Sequence, residues 1–434
     1  MAIAAPNTGT SAASSATGQS YGAPLATVTT LFFMWGFLTC LNDILVPHLK
    51  SIFDLNYAKV MLIQFAFFGA YFIFSIPSAK IIDWIGYQRS MVAGLLTMGI
   101  GAFLFVPAAS VPSFPLFLGA LIVLAAGITC LQVAANPYVT VLGKPETASS
   151  RLNLTQAFNS LGTFLAPFFG GLLILSAAPM TMDQIRALTP DALQAYRVHE
   201  AASVKTPYVG LGIALVLLAI AIGSFKLPKI EHAQHKVGEK VNDSIWKHPN
   251  LIFGAIGIFV YVGAEVSIGS FLVNYFGQPE IGGLTEKVAA SFVAFYWGGA
   301  MVGRFIGSAL LQKMKTGGLL AICAVCAAAL VAMSMLTSGH VAMYSIILVG
   351  FFNSIMFPSI FTLGVAELGP LTGDGSGIMI MAIVGGAILP VAQGWIADQI
   401  GIHHAFFLPV ICYLYILFFA LSGSKPNSER HAIA

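Results

Sequence analysis

Charged residues are scarce in this chain. Lys, Arg, Asp and Glu make up 9% of its 434 residues, whereas they make up about a quarter of an average soluble domain. Hydrophobic residues make up 57%, and in water a chain of this composition would expose large apolar patches. The few basic residues are scattered rather than clustered, which argues against a nucleic-acid partner. The composition therefore predicts a protein that is surrounded by lipid.

Cysteines and enzyme motifs are also few. The five cysteines all lie in apolar runs, so we expect neither a disulfide framework nor a zinc site. The phosphate-binding pattern G-x-x-x-x-G-K-[ST] and the metalloprotease pattern H-E-x-x-H do not occur. Without the first pattern, ATP-driven transport by this chain is not expected. We predict that the protein is not an enzyme and that it needs no cofactor and no metal.

Long apolar runs dominate the rest of the sequence. A helix that crosses a bilayer needs about 20 mostly apolar residues, and twelve runs qualify, which predicts an all-α polytopic membrane protein. They lie near 25–48, 57–82, 90–109, 114–138, 152–176, 207–226, 251–277, 287–312, 317–338, 341–366, 376–399 and 404–422. The predicted organisation is a disordered tail, a six-helix half, a linker, a second six-helix half and a short tail, at 1–24, 25–226, 227–250, 251–422 and 423–434.

The distribution of Lys and Arg predicts the orientation of the spans. If both termini are cytoplasmic, 14 of the 20 basic residues lie on the cytoplasmic side and 6 on the other. Basic residues are enriched in cytoplasmic loops. The sequence therefore predicts cytoplasmic termini and a cytoplasmic linker, in the plasma membrane of a bacterium (its inner membrane).

The two predicted halves share an internal repeat. At a constant offset of 221, Pro137 and Gly143 of span 4 match Pro358 and Gly364 of span 10, and Gln132 stands opposite Asn353. At an offset of 223, span 5 matches span 11, with Gly162, Pro167 and Gly171 against Gly385, Pro390 and Gly394. Two related halves can pack around a cavity at the bilayer midplane and expose it to either side in turn. The repeat therefore favours a transporter.

Polar side chains inside the spans fall into stripes that face one cavity. Amides and carboxylates bind sugar hydroxyls, and aromatic rings stack on apolar sugar faces. The predicted substrate-binding residues are Trp35, Thr39, Asn42, Gln132, Asn136, Gln156, Asn159, Tyr261, Glu265, Asn353 and Phe357. Because membrane bundles also use such amides to join helices, helix–helix bonding remains an alternative for each amide.

Two acidic residues lie deep within spans. Asp43 lies in span 1 and Glu265 in span 7, where an ionisable residue is costly and is a functional candidate by default. We predict a proton-coupling role for Asp43, and for Glu265 a role as sugar ligand or second ionisable site. Asp83, Arg89 and Arg304 lie near span ends and are predicted gating residues.

Four motifs resemble those of a known family. They are Asn42-Asp43-Ile-Leu-Val-Pro, Gln132-Val-Ala-Ala-Asn136-Pro137, Asn153-Leu-Thr-Gln156-Ala-Phe-Asn159-Ser and Val302-Gly303-Arg304-Phe. On these the chain resembles the fucose–proton symporter family of the major facilitator superfamily, and within it the glucose/galactose transporter branch, which includes N-acetylglucosamine permeases. The resemblance implies the major facilitator fold with twelve helices in two halves, alternating access, and a proton-coupling role for Asp43.

One departure from the family concerns the acids. Fucose symporters carry a Glu at the position of Gln132, whereas Glu265 stands where those carriers have an amide. The resemblance thus implies a glucose- or galactose-type hexose, with N-acetylglucosamine and fucose as alternatives. Coupling to Na⁺ instead of H⁺, and a proton-driven exporter on the same fold, remain open. A monomer is expected, with a sugar and the bilayer as its partners.

Overall fold

The structure is a computed structural model that describes residues 21–53, 57–111, 113–173, 187–203, 205–230 and 243–426. These residues are almost entirely helical. The α-helices are α1 (Gly22–Phe53), α2 (Tyr57–Ser110), α3 (Phe114–Val141), α4 (Ala148–Leu173), α5 (Pro190–Ser203), α6 (Lys205–Ser224), α7 (Pro249–Gly277), α8 (Glu286–Leu310), α9 (Thr316–Leu336), α10 (Gly339–Asn353), α11 (Met356–Gly364), α12 (Thr372–Met381), α13 (Gly385–Ile400), α14 (Ile402–Ala405) and α15 (Phe407–Phe418).

The helices lie where the sequence predicts spans. Helix α2 covers spans 2 and 3 in two arms that meet at Gly86, whose φ of 80° is favourable for glycine but not for other residues. Span 10 is divided into α10 and α11, and span 11 into α12 and α13. Ten segments of the described residues are long and apolar enough to cross a membrane. Helix α4 is not among them because polar residues interrupt it.

Within each half, the helices pack against one another in pairs. In the first half α1 packs on α4, and α2 packs on α3 and α6; in the second half α7 packs on α13, and α9 on α10 and α15. The repeated glycines allow two of these contacts. A Cβ at Gly162 would lie 2.2 Å from the carbonyl oxygen of Phe33, and one at Gly385 would lie 2.0 Å from that of Phe259. The two matched glycines therefore serve the same close packing in the two halves.

The ends of span 4 and span 10 are closed by side chains. The Arg151 guanidinium donates to the carbonyl oxygens of Thr140 at 2.8 Å and Lys144 at 2.7 Å, beyond the end of α3. The Asn250 amide donates to the carbonyl oxygens of Gly364 at 3.1 Å and Ala366 at 3.0 Å, at the end of α11. Both side chains satisfy carbonyl groups that a helix end leaves without donors.

Among the described residues, the hydrogen bonds and ion pairs between the halves lie at one end of the bundle. We call it the lower end: α1 begins there, α2 turns there at Gly86, and α15 ends there. Two contact zones close it. The first, where α4 meets α8, α9 and α11, is called the hydroxyl seam; the second, where α2 and α3 meet α12, is called the ionic seam. Each seam joins one helix of the repeated span 5–span 11 pair to the opposite half.

Candidate functional site

The predicted amides of the first half form one buried group. Gln132 and Asn136 lie on α3 with 3% and 0% of their surface exposed. The Gln132 amide donates to the hydroxyl of Tyr71 at 2.6 Å, and the Gln156 amide on α4 donates to the Asn136 side-chain oxygen at 3.3 Å. The structure thus brings the three predicted ligands together, with Tyr71 as a fourth member that the sequence analysis missed.

Helix α1 is held to α4 by two polar side chains, of which Asn159 belongs to the predicted set. The Asn159 amide donates to the carbonyl oxygen of Phe32 at 2.9 Å, and Thr163 donates to that of Gly36 at 3.2 Å. The Thr39 hydroxyl donates to the carbonyl oxygen of Trp35, one turn earlier in its own helix, at 3.0 Å. In this conformation the Asn159 and Thr39 donors serve the helices themselves, while Trp35 is buried.

Asn42 and Asp43 lie on α1. Their side chains are outside the residues that the structure describes, so the proton-coupling role of Asp43 and the binding role of Asn42 stay predictions.

Glu265 is the second of the two acids that were predicted deep within spans, and the structure describes its surroundings. It is half-buried, and its Oε1 lies 2.8 Å from the hydroxyl of Tyr261, which also lies 3.0 Å from the carbonyl oxygen of Asn353. The Tyr261 ring is fully buried. Tyr261 was predicted to stack on a sugar. In this structure its hydroxyl bonds Glu265, and its ring offers no exposed face.

Asn353 is bonded by a tyrosine that the sequence analysis did not select. Its amide donates to the hydroxyl of Tyr296 on α8 at 2.8 Å, and Tyr413 on α15 is a second buried tyrosine of this half. Both tyrosines have no exposed surface. Polar aromatic residues in the middle of apolar spans 8 and 12 were the signal that could have found them. Phe357 is half-buried and stacks on Phe361, with ring centroids 6.2 Å apart.

Arg304 connects the two halves. Its Nε donates to the carbonyl oxygen of Ser354 at 3.1 Å, and its Nη1 donates to the Ser160 hydroxyl on α4. The Asn153 amide of α4 donates in return to the Arg304 carbonyl oxygen at 2.7 Å. The Arg304 guanidinium therefore links the amide-lined half to the half that carries Glu265.

The hydroxyl seam continues below Arg304. Ser150 and Ser308 bond reciprocally, because the hydroxyl of each donates to the carbonyl oxygen of the other, at 2.7 Å and 3.0 Å. The Thr316 hydroxyl donates to that of Ser149 at 2.9 Å, and the Ser149 hydroxyl lies 2.6 Å from that of Thr362. Apart from Arg304, this seam is made of uncharged groups.

The ionic seam is built on a lysine that the sequence analysis did not select. Lys80 on α2 bonds Asp374 on α12 at 2.8 Å and lies 3.7 Å from Asp83. The Asp83 side chain is 5% exposed, so this predicted gating residue does lie at the seam. Arg89 is exposed and makes no ion pair within the described residues. Lys80, rather than Arg89, supplies the positive charge here, because Asp374 faces the end of the first arm of α2.

The chain is similar along its length to known transporters. The Major Facilitator Superfamily model matches residues 25–383. A glucose/galactose transporter of Brucella abortus is 55% identical over 407 residues, which are 94% of this chain and 95% of the relative. The L-fucose-proton symporter of Escherichia coli is 37% identical over 414 residues, which are 94% of each chain.

Solved structures share the fold. The E. coli fucose:proton symporter FucP is 35% identical with a TM-score of 0.87, covering 94% of this chain and 100% of that one. A structure of FucP in the outward conformation gives a TM-score of 0.86 at the same identity and coverage. These relatives are transporters rather than enzymes. The chain therefore belongs to the Major Facilitator Superfamily and is a multi-pass membrane transporter.

Proposed function

We propose that this protein imports a glucose- or galactose-type hexose by proton symport through alternating access. The observation that carries the proposal is a buried amide group in one half and a carboxylate held by a tyrosine in the other. Gln132, Asn136 and Gln156 offer hydrogen bonds to sugar hydroxyls, and Arg304 connects their half to the half that carries Tyr261 and Glu265. A proton on Glu265 or Asp43 would remove a charge from this interior, which desolvation favours.

The relatives support this choice of cargo. The protein that is 55% identical is named a glucose/galactose transporter, and the fucose symporter is 37% identical. The uncharged Gln132, at the position where fucose carriers have an acid, favours a glucose- or galactose-type hexose over the deoxyhexose fucose. N-acetylglucosamine, which carries the same ring hydroxyls except one, is the nearest alternative cargo.

The orientation proposed from the basic residues indicates which side of the membrane the site faces in this structure. If the termini are cytoplasmic in a bacterial inner membrane, the lower end faces the cytoplasm. With its two seams closed, the site would then be accessible from the outside. The similarity to FucP in its outward conformation supports this assignment. The protein is proposed to act as a monomer.

Uptake into liposomes tests the function. Glucose, galactose, mannose, fucose and N-acetylglucosamine would be offered with an inward proton gradient, with the gradient collapsed, and with Na⁺ added. We expect one hexose to accumulate only with the proton gradient. Asp43→Asn and Glu265→Gln would be compared with Glu280→Gln, a matched control because Glu280 is exposed.

The outcomes separate the alternatives. Loss of accumulation with retained sugar exchange in Asp43→Asn or Glu265→Gln identifies the coupling acid. Uptake that follows Na⁺ would contradict proton coupling but keep the cargo class. No uptake of any sugar under any condition would overturn the sugar proposal and favour an exporter.

A further inference from the structure

The repeated prolines Pro137 and Pro358 each leave one backbone carbonyl without its helical donor. In a helix the N–H of a residue donates to the carbonyl four residues earlier, and proline has no N–H. Pro137 lies inside α3 and therefore frees the carbonyl of Val133. Pro358 lies in the first turn of α11 and frees the carbonyl of Ser354, at the break of span 10. The two carbonyls correspond through the repeat.

The freed carbonyl of the first half is bonded by the second half. The Ser376 hydroxyl on α12 donates to the Val133 carbonyl oxygen at 2.8 Å, and both residues have no exposed surface. Helix α12 can come this close because residue 377 is a glycine: a Cβ there would lie 2.9 Å from the Cβ of Ala79 and 3.2 Å from the carbonyl oxygen of Ser75. The bond is thus part of the ionic seam.

The freed carbonyl of the second half is bonded by a residue that reaches the first half. The Nε of Arg304 donates to the Ser354 carbonyl oxygen, while its Nη1 donates to Ser160. Gly303 permits this approach, since a Cβ there would lie 2.5 Å from the carbonyl oxygen of Phe351 and 2.5 Å from the hydroxyl of Ser354. In the hydroxyl seam the freed carbonyl is thus bonded from within its own half, by a guanidinium whose other nitrogen reaches the first half.

We propose that the Val133 carbonyl, freed by Pro137, is an acceptor that holds the lower end closed, with Ser376 as the positioning residue for this state, and that the Ser354 carbonyl, freed by Pro358, orients Arg304 toward Ser160. A carbonyl without a helical donor is a strong acceptor when it is buried. When the seams open, water can replace the donors, so the bonds are reversible. The role in transport rests on the alternating access proposed above; the conformational claim does not.

Distance measurements between spin labels test the proposal without sugar or gradient. Labels would be placed at Trp84→Cys and Gln312→Cys, two exposed positions in opposite halves at the lower end, in a background whose native cysteines are replaced. We expect Ser376→Ala to raise the ratio of open to closed lower end about fivefold, the effect of one buried hydrogen bond. Ser345→Ala is the matched control, because Ser345 is also buried but its hydroxyl bonds only its own helix, to Val341, at 2.7 Å.

Pro137→Ala provides the second test. It returns an N–H to the Val133 carbonyl, so Ser376→Ala should then change the ratio less than about twofold, a non-additive result. The proposal is overturned if Ser376→Ala behaves like Ser345→Ala, or if its effect is equally large with and without Pro137. Because neither measurement involves sugar or protons, failure of the proposed cargo leaves it standing, and its failure leaves the uptake results standing.

Discussion

The hydroxyl seam and the ionic seam occupy corresponding places, since α4 and α12 begin the repeated spans 5 and 11. At the offset of 223 Asn153 of α4 stands opposite Ser376 of α12. Both residues donate to a backbone carbonyl oxygen across a seam, to Arg304 and to Val133 respectively. Around this shared contact the chemistry differs. The hydroxyl seam adds buried serine and threonine pairs, and the ionic seam adds Lys80 and Asp374.

The two seams are expected to respond differently to salt. Ser150 and Ser308 are 4% and 4% exposed, so their bonds are shielded from salt. The Lys80 side chain is 50% exposed, and an ion pair at such a site is weakened by solvent and salt. The hydroxyl seam is therefore expected to be insensitive to ionic strength, whereas the ionic seam weakens as the salt concentration rises.

The largest effect is expected from Arg304→Met, which removes two bonds of the hydroxyl seam and leaves the Ser354 carbonyl without a donor. Hydrogen bonds to charged groups contribute about 1.5–3 kcal/mol each, so we expect the closed lower end to lose about 3 kcal/mol relative to the open one. The spin-label ratio measures this loss. Lys313→Met, at an exposed site just beyond α8, should leave the ratio unchanged, and equal effects of the two variants would contradict the bridging role.

Gly303→Ala should have the next largest effect. Its Cβ would meet the Phe351 carbonyl oxygen and the Ser354 hydroxyl, and such overpacking costs about 1–3 kcal/mol. Gly298→Ala, on another face of α8, serves as the control, because a Cβ at that position would meet nothing within 4 Å. Thermal unfolding in detergent should show a lower Tm for Gly303→Ala alone. A Tm equal to that of the control would mean that α8 does not need this close approach.

A smaller effect is expected from Asp374→Asn in the ionic seam. Partly exposed ion pairs contribute about 0.5 kcal/mol, so we expect a shift of the spin-label ratio of about twofold at low salt. At 1 M salt the variant and the wild type should converge, because screening removes the pair. Ser150→Ala in the hydroxyl seam should show a shift that salt does not alter. A salt-dependent Ser150→Ala would erase the distinction between the seams.

The smallest effect is expected outside both seams, in the linker. The hydrogen bond from His248 at 2.7 Å, with one from the Ser244 N–H, lowers the pKa of Asp243 below the usual value of about 3.9. Because the folded pKa is the lower one, the stabilisation is present above the usual pKa and is lost as the pH falls through the folded pKa. Asp243→Asn should flatten the fall of Tm between pH 5 and pH 3 slightly. Asp191→Asn, also exposed, should follow the wild-type curve.

The sequence predicted the fold because its main signals are local. Apolar runs of about 20 residues located the spans, whereas α5 lies in the more polar segment between spans 5 and 6. The repeat identified Gly162 and Gly385, which the structure places at equivalent contacts. The continuous path of α2 through Gly86 and the breaks in spans 10 and 11 were not predicted, since single backbone torsions leave little trace in hydropathy.

The sequence predicted which residues belong to the site, but it did not predict which residues they contact. Gln132, Asn136 and Gln156 were predicted from adjacent helix faces to share one cavity, and the structure buries them side by side; their role as sugar ligands stays a prediction. Their partner Tyr71 was missed, as were Tyr296 and Lys80, because each contact joins residues that are far apart in sequence. Arg89 was predicted to gate from its place near a span end; the structure shows it exposed, and its gating role stays a prediction.

The bond between Ser376 and Val133 has a consequence for how this protein can vary. The acceptor belongs to the main chain, so any residue at position 133 that fits the helix provides it. The side chain that creates the acceptor is four positions away, at Pro137. Among natural variants we therefore expect position 133 to vary among side chains of a size that its buried site accepts, while positions 137 and 376 change together or not at all.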